Sequence, residues 1–277
     1  MHRIRHFTPA IVLSLFPGLA ASTLAVAGGG QIPIHQVPTT ISAPGSYYLS
    51  RDLSGSPSQA MITIAASDVT IDLAGHTVEH QASTYPVIGS SGAPDNIEIF
   101  GGRIVGGLHG IHLFNVAGPT FDVRLHELTI ADAFDSGILV EGGFEVAVPS
   151  EVTVTDVMVG DVGGHGIRLY AVDAGRITRN TIRDAGGSGI HVDNSHGVFV
   201  GRNTSASNTG NGVLIESSEA TAVEGNLLVR NGAYALVFRN IPGQDDTGCY
   251  ANNRMFGNSL GERDLQNASS YAIEPCL

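Results

Sequence analysis

The sequence predicts an all-β solenoid, one chain wound into about eight to nine stacked coils of short strands. Three observations carry this. From residue 166 the chain divides into three lines of 23 residues: GIRLYAVDAGRITRNTIRDAGGS, GIHVDNSHGVFVGRNTSASNTGN and GVLIESSEATAVEGNLLVRNGAY. Each line opens on Gly-Ile or Gly-Val (Gly166, Gly189, Gly212) and carries an asparagine fourteen places later (Asn180, Asn203, Asn226). Elsewhere apolar residues alternate at period two, and the spacing of an amphipathic helix is missing. A fixed period in the twenties marks units that bury their apolar side only by stacking on one another.

In chain order, residues 1–27 read as an export signal. Arg3 and Arg5 precede an apolar run from Ile11 to Val26 that Pro17 interrupts, and Ala25-Val26-Ala27 fits a cleavage site. A membrane anchor is the competing reading, less favoured because the apolar run is short, interrupted by Pro17 and followed by Gly28-Gly29-Gly30. Residues 28–58, rich in Pro and Gly, are expected to cap the first coil and cover its unpaired strand edges. Coils follow over 59–248, starting with MITI (61–64), VTIDLAGHTV (69–78) and IEIFGGRIVGG (97–107). Then come GIHLF with VRLHELTI, GILVE with VTVTDVMVG, and the three regular lines. The last coil and a C-terminal cap take 249–277.

The spacings locate the variable part of each coil. Openers fall at Gly110, Gly137, Gly166, Gly189, Gly212 and Ala235, and turn residues at Leu128, Val157, Asn180, Asn203, Asn226 and Asn253. From a turn residue to the next opener is always nine residues, whereas opener to turn residue is 18, 20, 14, 14, 14 and 18. All length variation therefore sits in the loop after the opener strand, the sort of corner where stacked coils place binding. The asparagines have a scaffold explanation. They tolerate left-handed turns, and they can form a hydrogen-bonded ladder at the spacing of neighbouring strands, about 4.8 Å.

Composition excludes some functions. Net charge is −12, and −14 once Arg3 and Arg5 are removed with the signal, so nucleic acid and anionic membranes are not expected partners. All 14 basic residues are arginine, so lysine chemistry is absent. No segment after the signal is long and apolar enough to span a bilayer. Cys249 and Cys276 are expected to form a disulfide in an exported chain, tying the tail to the last coil. No Cys/His spacing fits zinc, and no metal ligand is assigned.

In these openers, internal asparagines and coil lengths, the chain resembles the right-handed parallel β-helix of the pectin-lyase-like superfamily, above all its carbohydrate-binding and sugar-hydrolase repeat. GSYYLSRDLSG and ITIAASDVTIDLAGHTV (within 45–78) also resemble the opening of exported bacterial β-helix proteins. The resemblance covers residues 40–260 or so. It implies a single-stranded right-handed parallel β-helix with three parallel strands per coil. It further implies that the opener strands form the first sheet, along which the active groove of that family usually runs.

Strand alternation assigns two outward columns. One is His112, Leu139, Arg168, His191, Leu214, Val237; the other is Phe114, Glu141, Tyr170, Asp193, Glu216, Arg239. Long loops (NVAGPTFD, GGFEVAVPSE, IPGQDDTG) are expected to wall a groove whose floor carries Arg168, Tyr170, His191, Asp193 and Glu216. These five are the candidate catalytic residues, with His112, Glu141 and Arg239 as substrate contacts. Asp193 and Glu216 lie one coil apart, about 5 Å at the backbone. Two carboxylates so close do not readily ionise together, which suits glycoside hydrolysis. Glu141 and Asp193, two coils apart, are an alternative inverting pair. Arg168 with Tyr170 or His191 offers lyase or epimerase chemistry, a guanidinium neutralising a uronate while a base removes the C5 proton. Against all of these stands plain cross-strand pairing of Arg with Asp and Glu on a soluble surface.

The remaining motifs are weaker. Gly164-His165-Gly166 is similar to a polygalacturonase motif, but it sits at an opener, as His109-Gly110 does, and the aspartate and Arg-x-Lys motifs of that family are absent. The Arg-x-x-Pro segment of pectate lyases and the Asp-Pro-His-Glu motif of mannuronan epimerases are absent too. Asp245-Asp246 could hold Ca²⁺. Asn203-Thr204-Ser205 and Asn267-Ala268-Ser269 match glycosylation sequons. The expectation is an exported monomer (periplasm, cell surface or outside) that binds a polysaccharide or cell-surface glycan and cleaves it as a lyase or hydrolase. A non-catalytic envelope module that binds glycan or protein, and a purely structural solenoid, are the competing readings.

Overall fold

The computed structural model describes residues 30–115, 120–143, 150–239, 248–266 and 273–276. The expected signal, Asp245-Asp246, the Asn267 sequon and the central parts of the three long loops lie outside these residues. Among the described residues every regular element is a strand. A typical coil has three, as in Ile167–Tyr170, Ala174–Thr178 and Thr181–Ala185. Each pairs in parallel with its counterpart 23 residues on.

The opener strands form one sheet of ten, running from Thr39–Ile41 through Ile111–Phe114, Ile138–Glu141, Ile167–Tyr170, Ile190–Asp193 and Val213–Glu216 to Tyr234–Arg239 and Gly261–Gln266. The other two strands of each coil merge into an array of 18, because Ile97–Gly106 and Phe121–Ala131 continue around a corner. The all-β solenoid expected from the period is thus present. The segment read as a cap, 28–58, contributes strands Thr39–Ile41, Gly45–Leu49 and Leu53–Gly55, which pair in parallel with the next coil.

Alternation decides what fills the interior. Ile62, Ile88, Ile111, Ile138, Ile167, Ile190, Val213 and Leu236 stack in register, each with no exposed surface. Burying each such side chain contributes about 1.5–3 kcal/mol. The opener glycines exist for closeness. A Cβ on Gly166 would lie 2.3 Å from Ile182 Cγ2 and 2.5 Å from the Gly189 carbonyl, and one on Gly189 would lie 2.0 Å from Ser205 Oγ.

The asparagine column forms the expected ladder. Asn180 N–H and Nδ2 donate to Asn203 Oδ1 at 2.9 and 3.0 Å, and Asn203 repeats both bonds to Asn226 Oδ1 at 2.8 and 3.0 Å. The left-handed backbone, however, belongs to the residue before each asparagine: Arg179 (φ 59°), Arg202 (φ 59°) and Asn252 (φ 55°). Asparagine is selected here for its side-chain donor and acceptor, not for tolerance of positive φ. Asn203 is 1% exposed, so its sequon offers no site for a glycan. A second ladder, Asn208–Asn231–Asn258, lines the next corner. Cys249 and Cys276 are disulfide-bonded and join the strand Gly248–Ala251 to the tail, as the sequence reading expects.

Candidate functional site

The opener sheet places both outward columns as alternation predicts. His112, Leu139, Arg168, His191, Leu214 and Val237 are consecutive cross-strand partners, and so are Phe114, Glu141, Tyr170, Asp193, Glu216 and Arg239. All eight candidate residues therefore stand on one face. They are bound to one another along the coil axis. His112 Nε2 meets Glu141 Oε2 at 2.5 Å, Arg168 Nη2 donates to Asp193 Oδ2 at 2.7 Å, and His191 Nε2 contacts Glu216 Oε2 at 3.2 Å. Arg239 Nη1 reaches the other Glu216 oxygen at 3.5 Å, and the Arg168 guanidinium lies 5.5 Å from the Tyr170 ring centre.

Outward direction does not mean exposure. Leu139, Leu214 and Val237 are 7%, 6% and 1% exposed, and His191 only 5%. His191 is covered by its neighbours. Burial, helped by His165, Arg168 and Arg239, depresses its pKa to about 3. A neutral imidazole facing a carboxylate carries its proton on Nε2, which leaves Nδ1 as an acceptor that is buried and without a partner. His191 is thus built to orient Glu216. Burial first, and then the Asp193 charge, raises the Tyr170 pKa, which favours the neutral phenol. The hydrogen bond from His112 holds the Glu141 carboxyl below its usual range.

Two further histidines border the row. His165 lies 4.6 Å from His191 and His109 5.1 Å from His112, ring centre to ring centre. Their Nδ1 atoms accept from the Ser188 and Ser136 backbone N–H groups. The sequence signal was the repeated His-Gly at the opener, read above as scaffold.

Burial also lowers the pKa values of His109 and His165. Below about pH 6.5 the unfolded chain takes up protons that these folded histidines refuse, so stability falls as pH drops. For His191 alone the slope is roughly 1.4 kcal/mol per pH unit until its folded pKa is approached. Urea unfolding at pH 6.5 and 5.0 is expected to show His191→Gln losing about 2 kcal/mol less than the parent between the two values. Equal losses in parent and variant would refute the assignment.

One ring nitrogen of His191 and one oxygen each of Asp193 and Glu216 lie within 4.8 Å of one another. An imidazole with two carboxylates suits a borderline divalent ion better than Ca²⁺, which prefers six or more oxygens. Arg168 and Arg239 already bind these carboxylates, however, and their charges oppose a cation.

Known structures share this architecture. A variant of the periplasmic alginate epimerase AlgG aligns with a TM-score of 0.57 at 10% identity, over 86% of this chain and 70% of that one. Another AlgG variant gives 0.54 at 10% identity over 86% and 70%. The enzymatically active domain of tailspike protein 2 from Bacteriophage CBA120 gives 0.50 at 15% identity, over 81% of this chain and 38% of that one. At these identities the likeness is one of fold. No curated protein sequence matches the chain. The sequence pattern of the right-handed beta helix region matches residues 75–272, and the chain belongs to that family.

Proposed function

We propose that this is an exported carbohydrate-active protein that lays a polysaccharide along the opener sheet and hydrolyses it with Asp193 and Glu216. The observation that carries this reading is the carboxylate pair on adjacent coils, with oxygens within 4.8 Å and each acid held by its own partner. Retaining glycosidases hold their two carboxyl groups about 5–5.5 Å apart. Asp193, paired with Arg168, is assigned as nucleophile. Glu216, oriented by the His191 N–H, is assigned as acid and base. His112, Glu141 and Arg239 flank the pair along the same row and are assigned as sugar contacts. Lyase chemistry has less support, because Tyr170 is held as the phenol and His191 has no exposed acceptor nitrogen. The fold shared with an alginate epimerase supports a polysaccharide ligand, and the disulfide supports an oxidising compartment.

A non-catalytic glycan-binding module is the second reading. It is favoured by the way Arg168–Asp193 and Arg239–Glu216 match charges within the row and His112 hydrogen-bonds Glu141. The mature protein is to be incubated with a panel of acidic and neutral polysaccharides, with and without Ca²⁺. New reducing ends without absorbance from unsaturated uronates are the expected result. Unsaturated products would replace hydrolysis by elimination. Binding without turnover would establish the module, and neither binding nor turnover would remove both readings.

A further inference from the structure

We propose a second glycan-binding site for an acidic sugar residue, on the strand that follows the variable loop and so on the other side of that corner from the opener row. Its row is Arg124, Thr153, Arg176, Phe199 and Ala222, consecutive cross-strand partners. Two cavities meet at Arg176 and Phe199. One, of about 410 Å³, extends towards Asp122 and Glu151. The other, of about 200 Å³, extends towards Arg179 and Arg202.

The hollow has a cause in the sequence. The column beside the row runs Asp122, Glu151, Ala174, Gly197, so two carboxylates are followed by two residues with almost no side chain. Phe199 follows the gap by two residues; its half-buried ring leans over Gly201, where a Cβ would lie 2.4 Å from Phe199 Cε1, and borders both cavities. The Arg176 guanidinium lies 5.1 Å from the ring centre, a cation–π contact that holds it over the aromatic face. Arg179 is neutralised by Asp156 through bonds of 2.9 and 2.7 Å. Arg176 and Arg202 have no acidic partner among the described residues. On a chain of net charge −12, two uncompensated guanidinium groups flanking one aromatic ring form a local anion site.

The parts match a sugar acid. A pyranose ring presents C–H groups that pack on an aromatic face, its carboxylate fits the planar donors of Arg176 and Arg202, and hydroxyls of the next residues of the same oligosaccharide, one and two coils away, donate to Glu151 and Asp122. Neutral sugars satisfy only part of this set, and nucleic acid is repelled by the acidic end. The site shares no residue with the opener row and stands or falls apart from it.

The test is calorimetric titration of the full mature protein with oligogalacturonate, oligomannuronate and oligoguluronate, each beside its carboxyl-reduced neutral counterpart. NMR mapping on labelled protein locates the binding. At least one oligouronate is expected to bind at least tenfold more tightly than its reduced form, shifting backbone resonances of residues 174–178 and 198–202. Arg176→Gln with Arg202→Gln is expected to weaken this binding at least tenfold, Phe199→Ala similarly, and Arg183→Gln, an exposed arginine on the strand Thr181–Ala185 outside both sites, less than twofold. The double arginine variant alters only exposed side chains and so tests the site even if Phe199→Ala disturbs folding. The proposal is overturned if no uronate binds, if the reduced sugars bind equally, or if the double variant binds like the parent. Shifts confined to the opener sheet would overturn it while leaving the opener-face reading intact.

Discussion

Asn203→Ala is expected to lower unfolding stability by about 3–5 kcal/mol. The Asn203 side chain makes four bonds at 1% exposure. Oδ1 accepts from Asn180 N–H and Nδ2, while Nδ2 donates to the Ile177 carbonyl at 2.8 Å and to Asn226 Oδ1. Alanine leaves the Asn180 N–H buried without a partner, at about 1–3 kcal/mol, removes one bond each from the Asn180 amide, the Ile177 carbonyl and Asn226 Oδ1, and adds a small cavity. Stacked coils contact only their neighbours, so a weak rung in mid-array also divides the cooperative unit. Urea unfolding is expected to show a lower midpoint and a shallower slope than the parent. Asn253→Ala, at the partly exposed end of the ladder, is expected to cost less than half as much. A loss under about 1 kcal/mol for Asn203→Ala would show that the ladder is not a source of stability.

The ladder also shows what the sequence made legible. Gly166 and Gly189 could be placed at openers because only hydrogen fits there: a Cβ on Gly166 would lie 2.5 Å from the Gly189 carbonyl of the next coil, and one on Gly189 2.0 Å from Ser205 Oγ. Their fixed spacing then set the register, and the register set both outward columns without error from His112 to Arg239. The second ladder had the same spacing, since Asn208, Asn231 and Asn258 follow Asn203, Asn226 and Asn253 by five residues. In sequence, those residues look like ordinary polar turns. The burial of His191 was not legible, because alternation gives the direction of a side chain and not what covers it. His109 and His165 were missed as neighbours of the row for a related reason. They precede the strand, and only the turn brings them beside it. The hollow on the second face depends on Ala174 and Gly197 in different coils, and small residues give no signal until register aligns them.

Glu216→Gln is expected to reduce turnover by two to four orders of magnitude, the usual contribution of an acid–base group. The amide oxygen still accepts from His191 Nε2, so the side chain keeps its place while losing the ability to transfer a proton. Stability should change by less than about 1 kcal/mol, because the contact it gives up with Arg239, at 3.5 Å, is long and partly exposed. Asp193→Asn removes the charge that Arg168 holds at 2.7 Å, and a loss of similar size is expected. The two losses should not add, since the residues serve one reaction. Azide separates the roles. In Asp193→Gly it attacks the anomeric carbon as Glu216 protonates the departing oxygen, giving a glycosyl azide of inverted configuration, whereas in Glu216→Gln it can only displace Asp193 from the glycosyl-enzyme, giving one of retained configuration. Glu141→Gln is the control on the same face. Glu141 is bound to His112, two coils from Asp193, and its loss should affect substrate affinity more than turnover. Full activity in Asp193→Asn and Glu216→Gln, with a large loss in Glu141→Gln, would move the reacting carbon towards His112 and displace the assigned pair.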